Sequence, residues 1–481
     1  MESSFLEGKS VLITGVTGFV GKAVLETLLR DHHKHIATVF CLVRPNGKQS
    51  AQERLCQVLN NKLFDILRNK VGHKEFNKIA NRVVAIEGDI AMPGLGVSEA
   101  DARLLHTTLN LAIHSAATVN FNMPIKDALQ INTLGTMELL KLCERGPHFQ
   151  GFLHISTAYV NSNLNPGNVE EKLYVMPLGD PETLVDDIQA MTQCQATHFT
   201  KRILQEYPNT YTFTKALTEH LLNKSSVSTA CARLSIVASA AQDPVAGWVE
   251  GSAGLNAAGI LIGQGILDSL NAPADSSPDI VPVDYAANSI MRICAQLLES
   301  PNKQVYHIGS TAINPMKWSV FAAAAPKAWR RLPPLKSQLF HPDCQLVASS
   351  ADHKERVNAT KYFKFHTLPT IIDSTNTALL SQLQRAEKKL DKFYLNYDYF
   401  TSTSWRFDSS NLLALETSQS KRRDILSSSF GATALKSLDW TKYITEFICG
   451  LHYFVLKDST SWPLAIHSVP LKTPSPPSAK L

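Results

Sequence analysis

The chain has no C-x-x-C pair. Its eight cysteines are scattered at positions 41, 56, 143, 194, 231, 294, 344 and 449. That scatter argues against a disulfide framework and a thiolate zinc site, and implies a reducing compartment. Charge of one sign is also scarce. Forty-seven Lys and Arg against 42 Asp and Glu leave +5 over 481 residues, which gives no reason to expect nucleic acid and suits an anionic substrate only weakly. No apolar leader precedes the first strand-like run in MESSFLEGKS, so no signal peptide is expected. The longest late apolar run, Tyr443 to Leu456, carries Glu446 and His452, is too short to span a bilayer, and reads as a core helix. No internal repeat is present.

What is there is enough for a large core. With 44 % hydrophobic and 19 % charged residues, the chain is neither disordered nor collagen-like. Its length exceeds the size at which a single core stops growing, so two domains are expected. From Val11 to about Gly309, the strand-like runs SVLITG, TVFCLVR, VVAIEGD, LAIHSAA, FLHISTA and TACARLSIV alternate with helical patterns such as KAVLETLLRDH and DALQINTLGTMELLKLCE. This alternation predicts an α/β fold of Rossmann type, a doubly wound parallel sheet with helices on both faces. Continuous apolar runs such as VLI and VVAI fit strands buried on both sides.

The division expected from texture is a dinucleotide-binding reductase domain over 1–325, a loop-rich crossing over 326–360, and a smaller, mostly helical domain over 361–458. The crossing is expected because FAAAAPKAWRRLPPLKSQLFHPD holds four prolines and no alternation. The helical domain rests on TIIDSTNTALLSQLQRAEKKLDKFYLNYDYF and WTKYITEFICGLHYFVL. The proline- and serine-rich residues 459–481 are expected to be disordered.

The first chemical motif is Thr14-Gly15-Val16-Thr17-Gly18-Phe19-Val20-Gly21, between a strand and a helix. Glycines at 15, 18 and 21 permit a sharp turn and close approach of the backbone to a pyrophosphate, which the following helix meets with its free N–H groups. Gly15, Thr17, Gly18, Phe19 and Gly21 are therefore candidate cofactor contacts. The second strand ends at Arg44, where a carboxylate would hold a ribose diol and repel a 2′-phosphate. A guanidinium does the reverse, which points to NADPH over NADH, with Lys48 a weaker candidate for the same phosphate. Asp89 and Ile90 end the third strand, where the acid is placed to meet the adenine amino group. Ala116, Ala117 and Thr118 follow the fourth, where small side chains admit the cofactor to the sheet edge.

Tyr211 and Lys215 stand four apart in the helical stretch YTFTKALTEHLLN, so they share a face. An ammonium beside a phenol is expected to lower the phenol's pKa and fit it to protonate a carbonyl oxygen. Upstream, FLHISTAYVN offers the hydroxyls of Ser156 and Thr157 as a further donor to a developing oxyanion. Asn132, in QINTLGTMELL, is either the anchor of a relay water or a polar residue satisfied within helix packing.

Order and spacing of these motifs resemble the extended short-chain dehydrogenase/reductases. Within that superfamily the chain resembles the alcohol-forming fatty acyl-CoA reductases of the male-sterility type. The phrases LITGVTGFVGK, CLVRP, EGDI, HSAATVNF, INTLGT, HISTAYVN, YTFTKALTE, ARLSIV, GWVEG, IVPVDYAANSIM and VYHIGS carry the match. In the C-terminal part FKFHTLPTIIDS, WRFDSSN and LDWTKYITEFICGLHYFVLK narrow it to that family. The resemblance implies reduction of a long-chain fatty acyl-CoA through an aldehyde to a primary alcohol, with two NADPH consumed and coenzyme A released. It assigns Thr157, rather than Ser156, and Tyr211 to the oxygen that gains charge, and Lys215 to the nicotinamide ribose. It also implies that the C-terminal domain helps form the acyl channel, and it is compatible with peripheral membrane contact. The sequence departs from the family pattern at Arg233-Leu234, where arginine-proline is common, and over Ala322 to Val357. Many members carry a hydrophobic C-terminal anchor, and none is read here. Ala479-Lys480-Leu481 resembles the S-K-L type of peroxisomal address, which implies an import receptor as partner and a peroxisomal location, with cytoplasm or the endoplasmic reticulum surface as the alternatives.

Overall fold

Each of the six apolar runs supplies a strand to one parallel sheet: β1 (Ser10–Thr14), β2 (Thr38–Val43), β3 (Val83–Glu87), β4 (Leu109–His114), β5 (Gly151–Thr157) and β6 (Thr229–Leu234). The computed structural model describes residues 4–458 apart from 178, 301–302, 334, 373–375, 421, 423–424 and 426–429. The tail over 459–481, with its terminal tripeptide, lies outside the described residues. A seventh strand, β7 (Gln304–Ile308), which no apolar run marked, completes the order β7-β6-β5-β4-β1-β2-β3. Its residues Gln304 and Val305 are only half buried, as befits an edge strand. In β1, β5 and β6 every residue is buried, polar ones included, whereas β3, whose VVAI was expected to be covered on both faces, is an edge strand with Val84 and Ala85 half buried and Glu87 exposed. The order reverses direction between β1 and β4, and ligands in such sheets bind beyond the carboxyl ends of the strands at that reversal.

The run TACARLSIV divides in two. Leu234 ends β6, and Ile236–Ala238 leaves the sheet to pair with Ile280–Pro282. The principal helices are α1 (Phe19–His32), α2 (Thr210–Lys224), α3 (Leu255–Gly263), α4 (Val283–Glu299), α5 (Trp318–Trp329), α6 (Ser350–Tyr362), α7 (Thr377–Ser402) and α8 (Trp440–Gly450). No helix of the described residues is long and apolar enough to cross a membrane.

Two sequence expectations need correction here. The segment read as a loop-rich crossing is helical at its two ends and irregular between them apart from the short strand Gln345–Val347: α5 runs on through Pro326 to Trp329, and α6 begins on a Ser349 cap that accepts from the Asp352 N–H. Four consecutive alanines favour the helix, and Phe321, Ala324, Ala325, Ala328 and Trp329 form its buried face. That burial outweighs the one donor the proline removes.

The domain boundaries are also not contiguous in sequence. One compact unit joins 1–248, 276–317 and 396–438; the other joins 249–275, 318–395 and the described residues from 439 onward. The strand Trp405–Phe407 explains the first grouping. It pairs in parallel with Gly167–Val169, and Trp405 and Phe407 are buried with Ala158 and Val169. Within the second unit, small residues of α3 admit large neighbours. The Trp329 indole N–H donates to the Gly259 carbonyl at 2.8 Å, and a Cβ on Gly263 would meet the Trp329 ring at 2.5 Å.

In the first unit, α2 is tied to the sheet by an ion pair buried on both sides. Arg233 of β6 donates to Glu219 of α2 through Nε at 3.0 Å and Nη2 at 2.6 Å, with both side chains 1 % exposed. Its Nη1 donates to His307 Nε2 at 3.1 Å, so His307 carries its proton on Nδ1 and gives it to the Asp408 carbonyl at 2.7 Å. Burial and the neighbouring guanidinium push the His307 pKa down to about 3, which keeps the ring neutral. Arg233→Leu is expected to cost about 3–5 kcal/mol, because Glu219 is left charged and unpaired in the core. Arg233→Leu with Glu219→Leu should recover most of that loss in urea unfolding. A double variant no more stable than the single one would contradict the pairing argument.

Candidate active site

The glycine-rich turn leaves β1 at Thr14, whose hydroxyl oxygen accepts from the backbone N–H of Ser115 at 3.1 Å and Ala116 at 3.0 Å. The same hydroxyl is hydrogen-bonded to His114 Nδ1 at 2.8 Å, so one side chain ties the exits of β1 and β4 together. Gly15 has φ +77°, and a Cβ there would stand 2.8 Å from the Ala116 nitrogen. A Cβ on Gly21 would stand 2.4 Å from the Gly15 carbonyl oxygen. Gly18 caps α1 with no side-chain hydrogen bond, and the first turn of α1 holds no acid. Its N–H groups and positive dipole end are thus left for an anion beside exposed Thr17 and Gly18. The Phe19 ring packs 5.0 Å from that of Trp248.

The other cofactor candidates lie along the same strand ends. Ser115 to Thr118 are half buried. Asn132 holds them in place: its Oδ1 accepts from the Thr118 N–H at 2.9 Å, and its Nδ2 donates to the Thr118 carbonyl and to Thr214 Oγ1. Both ends of the amide are engaged, so Asn132 is the satisfied polar residue of the two readings above. It sits in a π-helical turn, Gln130–Leu134. Gly135 follows so closely that a Cβ there would lie 2.2 Å from the Ile90 carbonyl oxygen.

Arg44 and Asp89 face each other, Nη1 to Oδ2 at 3.5 Å, and Asp89 Oδ1 accepts from the Ala91 N–H at 3.0 Å. Asp89, expected to meet an adenine amino group, has one oxygen facing Arg44 and the other accepting within its own turn, with further acceptor capacity on both. The Arg44 side chain stays 66 % exposed, so a single carboxylate at that distance leaves most of the guanidinium available. Lys48 is exposed nearby in sequence.

The catalytic candidates fall at the end of β5 and the start of α2. Thr157 is the last residue of β5, and Tyr211 stands in the first turn of α2, whose cap Asn209 accepts from the Thr212 N–H at 2.9 Å. The Thr157 hydroxyl is close enough to the Tyr211 phenol to favour its ionised form. Ser156 precedes Thr157 on a pleat whose side chains alternate, and its buried Oγ has no partner among the described residues. The structure therefore brings Tyr211 to Thr157 and not to Ser156.

Lys215 departs from expectation. Its ammonium donates to the Ile155 carbonyl at 2.8 Å and lies 3.5 Å from His154 Nε2, and no pairing with Tyr211 is found. Burial pushes the Tyr211 phenol up to about 12, opposed only by the neighbouring Thr157 hydroxyl, and pushes Lys215 down to about 8. The lysine thus does not acidify the tyrosine here. A side chain one helical turn further along α2 reaches the β5 backbone before it reaches the phenol. What flanks Tyr211 instead is aromatic: Phe121 stacks on it at 5.8 Å and 22°, with Tyr397 and Phe400 against Phe121 at 5.9 and 5.6 Å.

Two family models match this chain, both described as male sterility protein: an NAD-binding model over residues 13–290 and a second over residues 365–458. Fatty acyl-CoA reductase 1 of Homo sapiens is 30 % identical over 466 residues, which cover 95 % of this chain and 86 % of the human protein. Fatty acyl-CoA reductase 2 of Homo sapiens is 29 % identical over 465 residues, with the same coverage of 95 % and 86 %. The chain belongs to the male sterility family of fatty acyl-CoA reductases. Among solved structures, the reductase domain of a nonribosomal peptide synthetase from Mycobacterium tuberculosis superposes with a TM-score of 0.60 at 19 % identity. That match covers 95 % of this chain and 94 % of the other, a likeness of fold.

As a male sterility family member with an NAD-binding unit, the chain takes a nicotinamide dinucleotide, and the turn at Gly15 to Gly21 supplies the cradle such a group needs. The departure at Arg233-Leu234 leaves the backbone in regular strand, with Leu234 opposite Thr157 in β5 and Ile308 in β7. Sequence reasoning did not single out Thr14, Phe121 and His154. Thr14 heads the glycine motif and Phe121 closes HSAATVNF, so both were in view, but nothing in one dimension shows a hydroxyl crossing to β4 or a ring lying on Tyr211.

The buried lysine carries a pH signature. Its pKa falls from 10.5 unfolded to about 8 folded, so between those values the unfolded chain binds more protons and stability rises with pH. Over that window wild type should gain about 3 kcal/mol relative to Lys215→Met, since each pKa unit is worth about 1.4 kcal/mol. Parallel stability curves for the two proteins from pH 8 to 10.5 would show that Lys215 is not desolvated.

Proposed function

We propose that the chain is an alcohol-forming fatty acyl-CoA reductase that uses NADPH. The observation that carries this reading is the placing of Thr157, at the carboxyl end of β5, beside Tyr211 of α2, in the sheet whose β1 exit forms the glycine cradle. The curated fatty acyl-CoA reductases, similar over 95 % of the chain, supply the substrate class.

The residues present fit a dinucleotide. Gly15 and Gly21 keep side chains out of the turn, α1 offers uncapped N–H groups to the pyrophosphate, and Ala116 and Ala117 leave the strand end low. When bound, the nicotinamide supplies hydride to the carbonyl carbon. Thr157 and Tyr211 hold the carbonyl oxygen and face the charge that develops there. Tyr211 is a neutral phenol throughout the physiological range, since burial holds it near 12, so it has a proton to give, and its phenolate is reprotonated from solvent before the next reduction. The Lys215 ammonium has three donors, and the Ile155 carbonyl takes one at 2.8 Å, which leaves others for the nicotinamide ribose. Phe121, Tyr397 and Phe400 give the tyrosine an apolar flank that suits a hydrocarbon chain and excludes water from the proton donor. Arg44 supports NADPH over NADH, because its exposed guanidinium is a fixed cation with a fork that matches a 2′-phosphate.

Incubation with palmitoyl-CoA should consume two equivalents of NADPH and yield hexadecanol. A single equivalent with free aldehyde would instead identify an aldehyde-releasing thioester reductase. Tyr211→Phe should lower kcat by about a hundredfold or more while leaving NADPH affinity near wild type, in keeping with loss of one positioned proton donor. Turnover within a few-fold of wild type would remove Tyr211 from the reaction. Arg44→Asp should weaken NADPH and favour NADH by about tenfold or more, as expected for loss of a charge-assisted phosphate contact. An unchanged ratio of the two kcat/KM values would reject the assignment of Arg44.

A further inference from the structure

Two histidines lie side by side in the core of the sheet, and the reaction described above uses neither. His114 and His154 are partners in register on β4 and β5, fully buried, with ring centroids 5.6 Å apart at 30°. Both belong to the first compact unit, as do all the residues around them named below. The protons of His114 follow from its neighbours. Thr14 Oγ1 already accepts from two backbone N–H groups, so its own hydrogen goes to His114 Nδ1 at 2.8 Å. Nε2 therefore carries the ring proton and donates to Thr136 Oγ1 at 2.9 Å, which gives its own hydrogen to the Asn132 carbonyl at 2.6 Å. His114 is neutral, and both its nitrogens are engaged.

His154 is different. The Lys215 ammonium lies 3.5 Å from its Nε2 and 2.8 Å from the Ile155 carbonyl, both on β5. An ammonium has donors and no acceptor, so Nε2 presents its lone pair and the proton of the neutral ring sits on Nδ1. That Nδ1 is buried and has no hydrogen-bond partner among the described residues. A buried N–H without an acceptor destabilises a fold, and an apolar ring of similar size would avoid the loss. Packing alone therefore does not account for a histidine at this position. The acceptor turned on Lys215 does. The surrounding charges agree with it. Burial first, then Lys215 and His114, hold His154 well below its ordinary range, so the ring remains an acceptor. Glu219 of α2 and Cys231 of β6 also act on the lysine and favour its charged form, against the burial that disfavours it.

We propose that His154 is a positioning residue for Lys215: its Nε2 and the Ile155 carbonyl engage two of the three ammonium donors, hold the side chain in one arrangement and keep it charged, which leaves the third donor for the nicotinamide ribose. The assignment rests on the reading of Lys215 as a cofactor ligand given above and adds the group that holds it ready. His154 touches neither cofactor nor substrate in this scheme and acts only through the lysine. At 3.5 Å the contact is long for a hydrogen bond, so it biases the lysine modestly and does not switch it.

The test follows the affinity of the full chain for NADPH, by cofactor fluorescence, as pH is raised through 8, in wild type, His154→Phe and His154→Gln. Phenylalanine keeps a ring and removes the acceptor, whereas glutamine returns an acceptor oxygen near the place of Nε2. Burial puts Lys215 at about 8, so wild-type affinity should fall above that pH as the ammonium is lost. In His154→Phe the fall should begin about 0.5–1 pH unit lower, as expected for loss of one weak contact to a charged group. His154→Gln should bring it back to the wild-type position. Superimposed profiles for wild type and His154→Phe overturn the proposal, as does an equal shift in both variants, which would mark disturbed packing. Wild-type affinity that stays flat across this range overturns it too, since Lys215 would then not serve the cofactor. Should neither variant fold, NMR of the wild-type chain with isotopically labelled histidines decides. The ring most displaced by Lys215→Met should carry its proton on Nδ1, and a proton on Nε2 overturns the proposal. If wild type shows the expected binding profile yet reduces no palmitoyl-CoA, the reductase reading fails and the assignment of His154 stands.

Discussion

The exits of β1 and β4 must approach within hydrogen-bonding distance, and much of the site follows from that contact. The Thr14 hydroxyl accepts two N–H groups beyond β4, and Gly15 passes so close that its missing Cβ is what lets the chains meet. The approach lays the glycine turn across the point where the strand order reverses. It also directs the first turn of α1, uncapped by any side chain, to where a pyrophosphate would lie. The same strand end is held from its far side by Asn132, which joins Thr118 to Thr214 of α2. Through α2 the constraint reaches Tyr211. Cofactor cradle and proton donor are therefore parts of one hydrogen-bonded frame.

Burial sets the chemistry within that frame. It raises the Tyr211 phenol, which keeps the tyrosine a proton donor, and lowers the Lys215 ammonium. The charged residues further along α2 are managed differently. Glu219 is neutralised by Arg233, and Arg233 leans on a neutral His307. A buried ion pair of this kind adds little net stability over an apolar substitute, but it makes the seating of α2 on the sheet hard to shift, because any slip exposes an unpaired charge.

The C-terminal segments play two parts. Residues 396–438 belong to the reductase unit, where the strand Trp405–Phe407 is paired and Phe400 and Tyr397 surround the ring that stacks on Tyr211. Residues 318–395 belong to the other unit, with the greater part of helix α7. This division gives a physical sense to a family defined by two matched segments: the reductase sheet is not complete in its aromatic flank until the later segment returns to it.

By itself the sequence determined the parallel sheet, the glycine turn, the position of Tyr211 at a helix start and the family. Each of these rests on local periodicity or on residue types at fixed spacing. Tertiary structure alone decided the rest. It placed Thr157 rather than Ser156 on the phenol, because alternate residues of a strand face opposite ways. It sent Lys215 to the Ile155 carbonyl instead of to Tyr211, and it turned Asp89 toward Arg44. It made a proline-bearing segment helical, since burying a face of alanine and aromatic side chains outweighs one lost donor. It also drew each unit from three separate stretches of chain. Which partners meet across the fold depends on distances in space that no spacing along the chain encodes.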